Sequence, residues 1–264
     1  FFETTVSDLG QDAVSRALAR GVDAVLVAGG DGTVRAVAAA LIDTGIPLTI
    51  VPSGTGNLLA RNLDLPLADP DTMIQATFDG DRRPVDIGRA RLHRADGTAD
   101  DEAFVVMAGI GLDAAMIANT RSQLKKTVGW IAYVDGAARS LPGAKPFRVM
   151  YELDPHRLHS TKASIADGLL DIALIQPTGW FGWIGVWRKV WWDNSVLRRS
   201  RAGRRIVERR RDSSVRYLRA STVEAAVETP QPVELDGDEF GEAVRLRCSI
   251  LPGGLLISLP SGHD

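Results

Sequence analysis

One cysteine, Cys248, stands in 264 residues. An internal disulfide framework and a Cys-based zinc site are therefore excluded, which suits a reducing, cytoplasmic compartment. Cys248 reads as a small buried apolar residue on a strand. No run of eighteen apolar residues occurs, so no spanning helix is expected. No secretory leader is visible either. The four histidines (His93, His156, His159 and His263) show no metal-ligand pattern beyond an i,i+3 pair in a polar stretch, and read as solvated loop positions. Charge of one sign is lacking too: 31 Lys plus Arg against 33 Asp plus Glu leave a net charge of −2, so no nucleic-acid partner is expected. The chain opens on Phe1-Phe2-Glu3 without a methionine, and a preceding stretch is expected.

What is present is globular in composition, with 45% hydrophobic and 24% charged residues, enough for a sizeable core in one large or two modest domains. Asp12 to Arg20 has helical periodicity and stops at Gly21. Val22 to Ala28 is a short valine-rich run that reads as a buried strand. A helix is expected from about Thr33 to Asp43, then a second buried strand over Leu48 to Val51. Strand, helix, strand in this order implies a parallel sheet with ligands at the carboxyl ends of its strands.

From Pro84 onward, short β-like runs take over: Val85 to Leu92, Ala103 to Ala108, Phe147 to Leu153, Leu169 to Ile175, Val233 to Leu235, Val244 to Leu251 and Leu255 to Leu259. Helical patterns lie between some of them, over Leu112 to Asn119 and Leu124 to Arg139. The fold class is therefore an α/β nucleotide-binding domain with a parallel sheet over residues 1–83. A mostly antiparallel, β-rich second domain follows over residues 84–250, and a segment over 251–264 is expected to return to the first domain.

Trp180, Trp183, Trp187 and Trp191 are spaced three, four and four and share one helical face, with Trp192 beside them. Trp187 to Arg211 has net charge +8, leaving −10 for the rest of the chain. Interfacial tryptophans and basic residues suit peripheral contact with an anionic membrane surface through Trp180–Arg211. The same pattern also fits a helix packed through its Trp face with solvated arginines outside.

Gly29-Gly30-Asp31-Gly32-Thr33 lies between a strand and a helix. A polyphosphate needs close backbone approach, which Cβ atoms obstruct, and free N–H donors, which a helix N-terminus supplies. An aspartate there would repel phosphate, so Asp31 needs a role: holding magnesium on the phosphates, accepting a proton from an attacking hydroxyl, or capping the turn. A second loop, Pro52-Ser53-Gly54-Thr55-Gly56-Asn57, follows the next strand. In a parallel sheet the two loops lie side by side and make one phosphate cradle. There Thr55 offers a hydroxyl, and Asn57 caps the next helix or fixes the loop.

These strings, with Val85-Asp86-Ile87-Gly88, Gly109-Ile110-Gly111-Leu112-Asp113-Ala114, Asp167-Gly168-Leu169-Leu170-Asp171 and Leu235-Asp236-Gly237-Asp238, resemble the diacylglycerol kinase catalytic-domain family, which includes bacterial lipid kinases and sphingosine kinases. Their order is the family's, over about residues 4 to 240. The resemblance implies a two-domain fold shared with NAD kinases, with ATP between the domains. It places Thr5, the loop Gly29, Gly30, Asp31, Gly32, Thr33, Val34 and Arg35, and Gly54 and Thr55 on the nucleotide. It implies a magnesium ion held by the Asp167 carboxylate and the carbonyls of Ser164 and Leu169. Asp238 takes the place of the family's general base, and Asp31 is the second candidate catalytic carboxylate. The implied reaction is transfer of the γ-phosphate to a lipid hydroxyl, diacylglycerol or a related lipid alcohol, at the inner membrane face. A homodimer is left open.

Departures from the family pattern bear on single roles. Relatives carry Asp-Gly-Glu where this chain has Asp236-Gly237-Asp238-Glu239, so the base is shorter by one methylene, and Glu239 is expected on the opposite face of a strand. Leu58 stands where many relatives have an aspartate, which throws weight on Asp31 and Asp86. A strand before Phe1, and a strand with a glycine-rich loop between Tyr151 and Asp167, are expected from the family and are not in the sequence. An NAD kinase-type enzyme and a catalytically idle nucleotide- or lipid-binding regulator are the alternative readings.

Overall fold

The apolar runs and alanine-rich stretches of the first eighty residues become alternating strands and helices. In the computed structural model, residues 1–5, 8–111, 148–154, 165–175 and 215–262 are described. Helix α1 (Gln11–Leu18) buries Ala13, Val14 and Ala17. Strand β1 (Val25–Gly29) leads through Gly30 into helix α2 (Asp31–Ala40), whose small Ala36 and Ala38 let the helix sit close to its neighbours. Strand β2 (Leu48–Pro52) is followed by the short helix α3 (Leu58–Asn62) and by α4 (Pro70–Asp79). The start of α4 is fixed by Asp69, which accepts the Thr72 N–H at 3.1 Å, and by Pro70 in the first turn.

The remaining strands are β3 (Asp81–His93), β4 (Ala99–Phe104), β5 (Ala108–Ile110), β6 (Val149–Leu153), β7 (Leu170–Ile175), β8 (Val215–Ala220), β9 (Thr222–Leu235) and β10 (Asp238–Leu259). One sheet runs β1-β2-β10-β3-β4, with β9 paired to β10 and carrying β5 and β6. The parallel pair β1/β2 is in register from Val25↔Leu48 to Gly29↔Pro52, so the two carboxyl ends lie together. The expected parallel α/β portion and antiparallel portion are thus both present, and β10 joins them. Its 22 residues run antiparallel to β3 and β9 and touch β2 in parallel at Ile257↔Leu48. Leu48, Ile50, Met73, Val85, Ile87, Leu255, Ile257 and Leu259, all nearly solvent-free, form the core between this sheet and the helices.

Two sequence-based boundaries shift for identifiable reasons. Val244–Leu251 and Leu255–Leu259 form one strand, because Pro252-Gly253 makes a register shift between Leu251 and Leu255 rather than a break. Ala103–Ala108 divides into β4 and β5, because the N–H groups of Val105, Val106 and Met107 donate to the Asp236 carboxylate instead of a ladder. The helical patterns over 112–119 and 124–139 and the Trp180–Arg211 segment lie outside the described residues, as do His156, His159 and His263.

The chain divides into two compact units, residues 1–154, 164–169 and 221–264, and residues 155–163 and 170–220. In the second, β7 and β8 form an antiparallel pair from Leu170↔Ala220 to Ile175↔Val215, in which the Arg219 Nε lies 2.9 Å from Asp171 Oδ1.

Candidate active site

The loops after β1 and β2 meet backbone to backbone. Ser53 N–H donates to the Gly29 carbonyl at 3.0 Å, and a Cβ on Gly54 would stand 2.6 Å from Gly30 Cα. Only glycine permits that approach. Asn57 fixes the second loop by a two-way exchange with Gly54: its Oδ1 accepts the Gly54 N–H and its Nδ2 donates to the Gly54 carbonyl, both at 2.9 Å. Its side chain makes no capping bond to α3, so of its two expected roles the loop-fixing one is what the structure shows.

Asp31, the first residue of α2, reaches across to the same loop. Its Oδ2 accepts the Asn57 N–H at 2.9 Å and its Oδ1 the Leu58 N–H at 2.5 Å. One carboxylate therefore caps α3 and locks the two loops together. Burial pushes its pKa up, the Leu58 and Asn57 N–H groups pull it back, and nearby Asp238 adds to the rise. Within α2 the first ladder bond runs from Val34 N–H to the Gly30 carbonyl at 3.0 Å, so Gly32 and Thr33 offer N–H groups that the helix does not use. Val34 itself is buried in the core. Thr55 is exposed at the tip of the second loop.

Asp238 comes to this cradle from the far end of the sequence. Asp236 and Gly237, with φ of 52° and 90°, form the two-residue turn between β9 and β10, as an Asp-Gly pair favours. The buried Asp236 carboxylate anchors the turn by accepting three N–H groups at 2.8 to 3.0 Å, although burial still drives its pKa upward. Asp238 follows, and its Oδ2 lies 2.8 Å from where a Cβ on Gly32 would stand. Its side chain is 47% exposed, while Glu239 is exposed at the next position.

Arg35 is buried one turn into α2. Its guanidinium lies 3.7 Å from Asp238 Oδ2, 3.8 Å from Glu102 Oε2 and 4.5 Å from the centre of the Phe240 ring. Glu102 and Phe240 carried no sequence signal: Asp100-Asp101-Glu102 reads as a solvated acidic run, and only the register of β4 turns Glu102 toward Arg35. The fully buried Glu234, whose Oε1 accepts the Gly237 N–H, was equally hidden in a strand pattern.

A second cluster gathers the other acidic motif. Asp86 Oδ2 accepts the Gly168 N–H at 2.7 Å, its Oδ1 accepts the Gly253 N–H at 2.9 Å, and its own N–H donates to the Ile165 carbonyl at 2.8 Å. Asp86 on β3 thus pins the turn that carries Asp167 and Leu169. Asp167 Oδ1 accepts the Leu169 N–H at 3.2 Å. Ser164 lies outside the described residues. Among the described residues no group of three His, Cys, Asp or Glu side chains is placed to hold a metal. A set of one carboxylate and two carbonyls needs no such group and suits a hard cation. Thr5 sits in a turn before α1, where its hydroxyl accepts the Asp8 N–H at 3.0 Å.

The chain is similar to known proteins in sequence and in fold. The sequence model of the diacylglycerol kinase catalytic domain matches residues 1–90. The protein named "Probable lipid kinase YegS-like" of Pseudomonas aeruginosa (strain UCBPP-PA14) is 30% identical over 273 aligned positions, covering 94% of this chain and 80% of that protein. A diacylglycerol kinase of Mycobacterium tuberculosis is 29% identical over 62% of this chain and 58% of its own length. An uncharacterised Synechocystis protein is 26% identical over 89% of this chain and 54% of its own, so the chain spans little more than half of these last two relatives. A crystal structure of a diacylglycerol kinase from Bacillus anthracis str. Sterne shares the fold, with a TM-score of 0.62 at 18% identity over 100% of this chain and 85% of that one. A parallel α/β portion joined to an antiparallel sheet is the fold that this chain shares with that diacylglycerol kinase structure. The chain belongs to the diacylglycerol kinase catalytic-domain family of lipid kinases.

Proposed function

We propose that the chain transfers the γ-phosphate of ATP to the hydroxyl of a lipid alcohol, with diacylglycerol as the first acceptor to test. The observation that carries this reading is the cradle itself. Two glycine loops touch through their backbones, the start of α2 carries N–H groups that its helix does not use, and Asp238 stands beside Gly32. Glycine backbone and a helix N-terminus bind phosphate without a lysine, and a carboxylate next to them suits a hydroxyl acceptor.

Asp238 takes the proton of the acceptor hydroxyl as its oxygen bonds to the γ-phosphorus. The bond from that phosphorus to the β-phosphate oxygen breaks, and ADP leaves. Gly32 and Thr33 N–H groups offset the charge that develops on the phosphoryl oxygens. Asp31 keeps the two loops in register rather than reaching the phosphate with a free carboxylate, since both its oxygens already accept N–H groups. Asp167 and the Leu169 carbonyl, with Ser164, are the residues that would hold magnesium, and Asp86 holds their turn. When bound, the ion supplies charge neutralisation.

The lipid is met at a membrane surface, with Trp180–Arg211 as the contact. This segment is suited by its tryptophans and its basic charge. The test is incubation with magnesium-ATP and diacylglycerol in mixed micelles, with NAD as the competing acceptor. The expected product is the phosphorylated lipid. Phosphorylation of NAD in place of lipid would assign the chain to the other chemistry, and nucleotide binding without transfer to any lipid alcohol would make it a regulator.

A further inference from the structure

Arg35 is a buried cation beside the glycine loops, and the proposed chemistry gives it no role. Only 7% of its side chain is exposed, and its Nε is buried without a hydrogen-bond partner among the described residues. A guanidinium removed from water is costly unless its partners are arranged to offset it. Here those partners are three, and they surround it. Glu102 of β4 approaches NH1 at 3.8 Å, Asp238 of β10 approaches NH2 at 3.7 Å, and the Phe240 ring stacks at 4.5 Å. Glu102 is 31% exposed and Asp238 47% exposed, so the more open of the two carboxylates is the one at the cradle.

We infer that Arg35 is a positioning residue for Asp238. Glu102 and Phe240 hold the guanidinium from behind, and its remaining face fixes the Asp238 carboxylate over Gly32. The inference rests on the reading of Asp238 as the group that receives the acceptor proton. Its content is different, because it assigns the Arg35 side chain to the base and not to the nucleotide. Geometry supports it in one further respect. Arg35 lies on α2, the helix whose first turn offers the N–H groups. One rigid element therefore sets both the phosphate and the base, which keeps the distance between them fixed. Asp236, Asp238 and Glu102 all lie near this cation, so it also offsets the repulsion among them.

The test measures kcat, KM for ATP and ATP affinity for wild type, Arg35→Lys, Arg35→Met, Glu102→Gln, Asp238→Asn and the double variant Arg35→Met with Asp238→Asn. Arg35→Met is expected to lower kcat about tenfold or more with ATP affinity within about threefold of wild type. Arg35→Lys should restore part of the rate, and the surface-accessible, isosteric Glu102→Gln should lower kcat a few-fold even if Arg35→Met folds poorly. The double variant should be no slower than Asp238→Asn alone, because Arg35 acts only through that carboxylate. Multiplying losses in the double variant, or a large loss of ATP affinity in Arg35→Met at unchanged kcat, overturns the inference while leaving the kinase reading intact. A wild-type chain that phosphorylates no lipid overturns both.

Discussion

Asp31 shows how much a single carboxylate does here. It stands at the first glycine loop, and its two oxygens serve the Asn57 and Leu58 N–H groups of the second. Asp31→Asn keeps one acceptor and sets an NH2 against an N–H donor. That should cost about 1–3 kcal/mol in urea denaturation and weaken ATP binding through loop disorder. The pH dependence has a definite sign. Burial raises the folded pKa of Asp31 above its ordinary 3.8, so its carboxyl holds a proton more firmly in the folded chain. Its contribution to stability is complete below that value and is lost as pH rises through the folded pKa. Denaturation of wild type and Asp31→Asn between about pH 4 and 7 should show the wild-type margin narrowing as pH rises. A margin that widens would contradict the burial argument.

Gly54 acts by having no side chain. Gly54→Ala places a methyl 2.6 Å from Gly30 Cα and must part the two loops. ATP affinity should fall about tenfold or more by calorimetry, while the melting temperature changes little, since the loops lie outside the core. The glycine strings themselves were plain in the sequence. The ties that make them a site, Asp31 to Asn57 and Arg35 to Asp238, were not, because each links residues that are remote in the chain.

At the scale of elements, β10 is the member on which the others depend. It carries Asp238 at one end and core residues Leu255, Ile257 and Leu259 at the other, and it touches β2, β3 and β9. Ile257→Ala, at a position with no solvent exposure, should cost about 2–5 kcal/mol, read as a lower urea midpoint. The parallel β1–α2–β2 unit was legible because its apolar runs and breakers are local signals. The β9–β10 pairing was only partly so. Its two-residue turn shows in Asp236-Gly237, but most of β9 is mixed in polarity, and the length of β10 is hidden by Pro252-Gly253. Helix α4 has a start signal in Asp69-Pro70, but its exposed Ile74 and Phe78 blur the apolar stripe that would mark it in the sequence.

For the whole molecule, the fold brings Asp238, late in the chain, against Gly32 in the first glycine loop. No helix among the described residues is long and apolar enough to cross a membrane. The proposed lipid acceptor calls for contact with a membrane surface, for which Trp180–Arg211 is the candidate segment. Vesicle co-sedimentation should show binding that grows with anionic lipid and weakens with salt, and that is reduced by replacing arginines within 198–211 with serine. Equal binding to neutral vesicles would count against that contact.

The most direct measurement is mass detection of products after incubating a total lipid extract with magnesium-ATP and either wild type or Asp238→Asn. The account predicts that one lipid alcohol class gains a single phosphate with wild type. It predicts a rate lower by about 100-fold or more with Asp238→Asn, which should still bind ATP. Equal lipid phosphorylation by the two chains, or none by wild type while ATP binds, would contradict it.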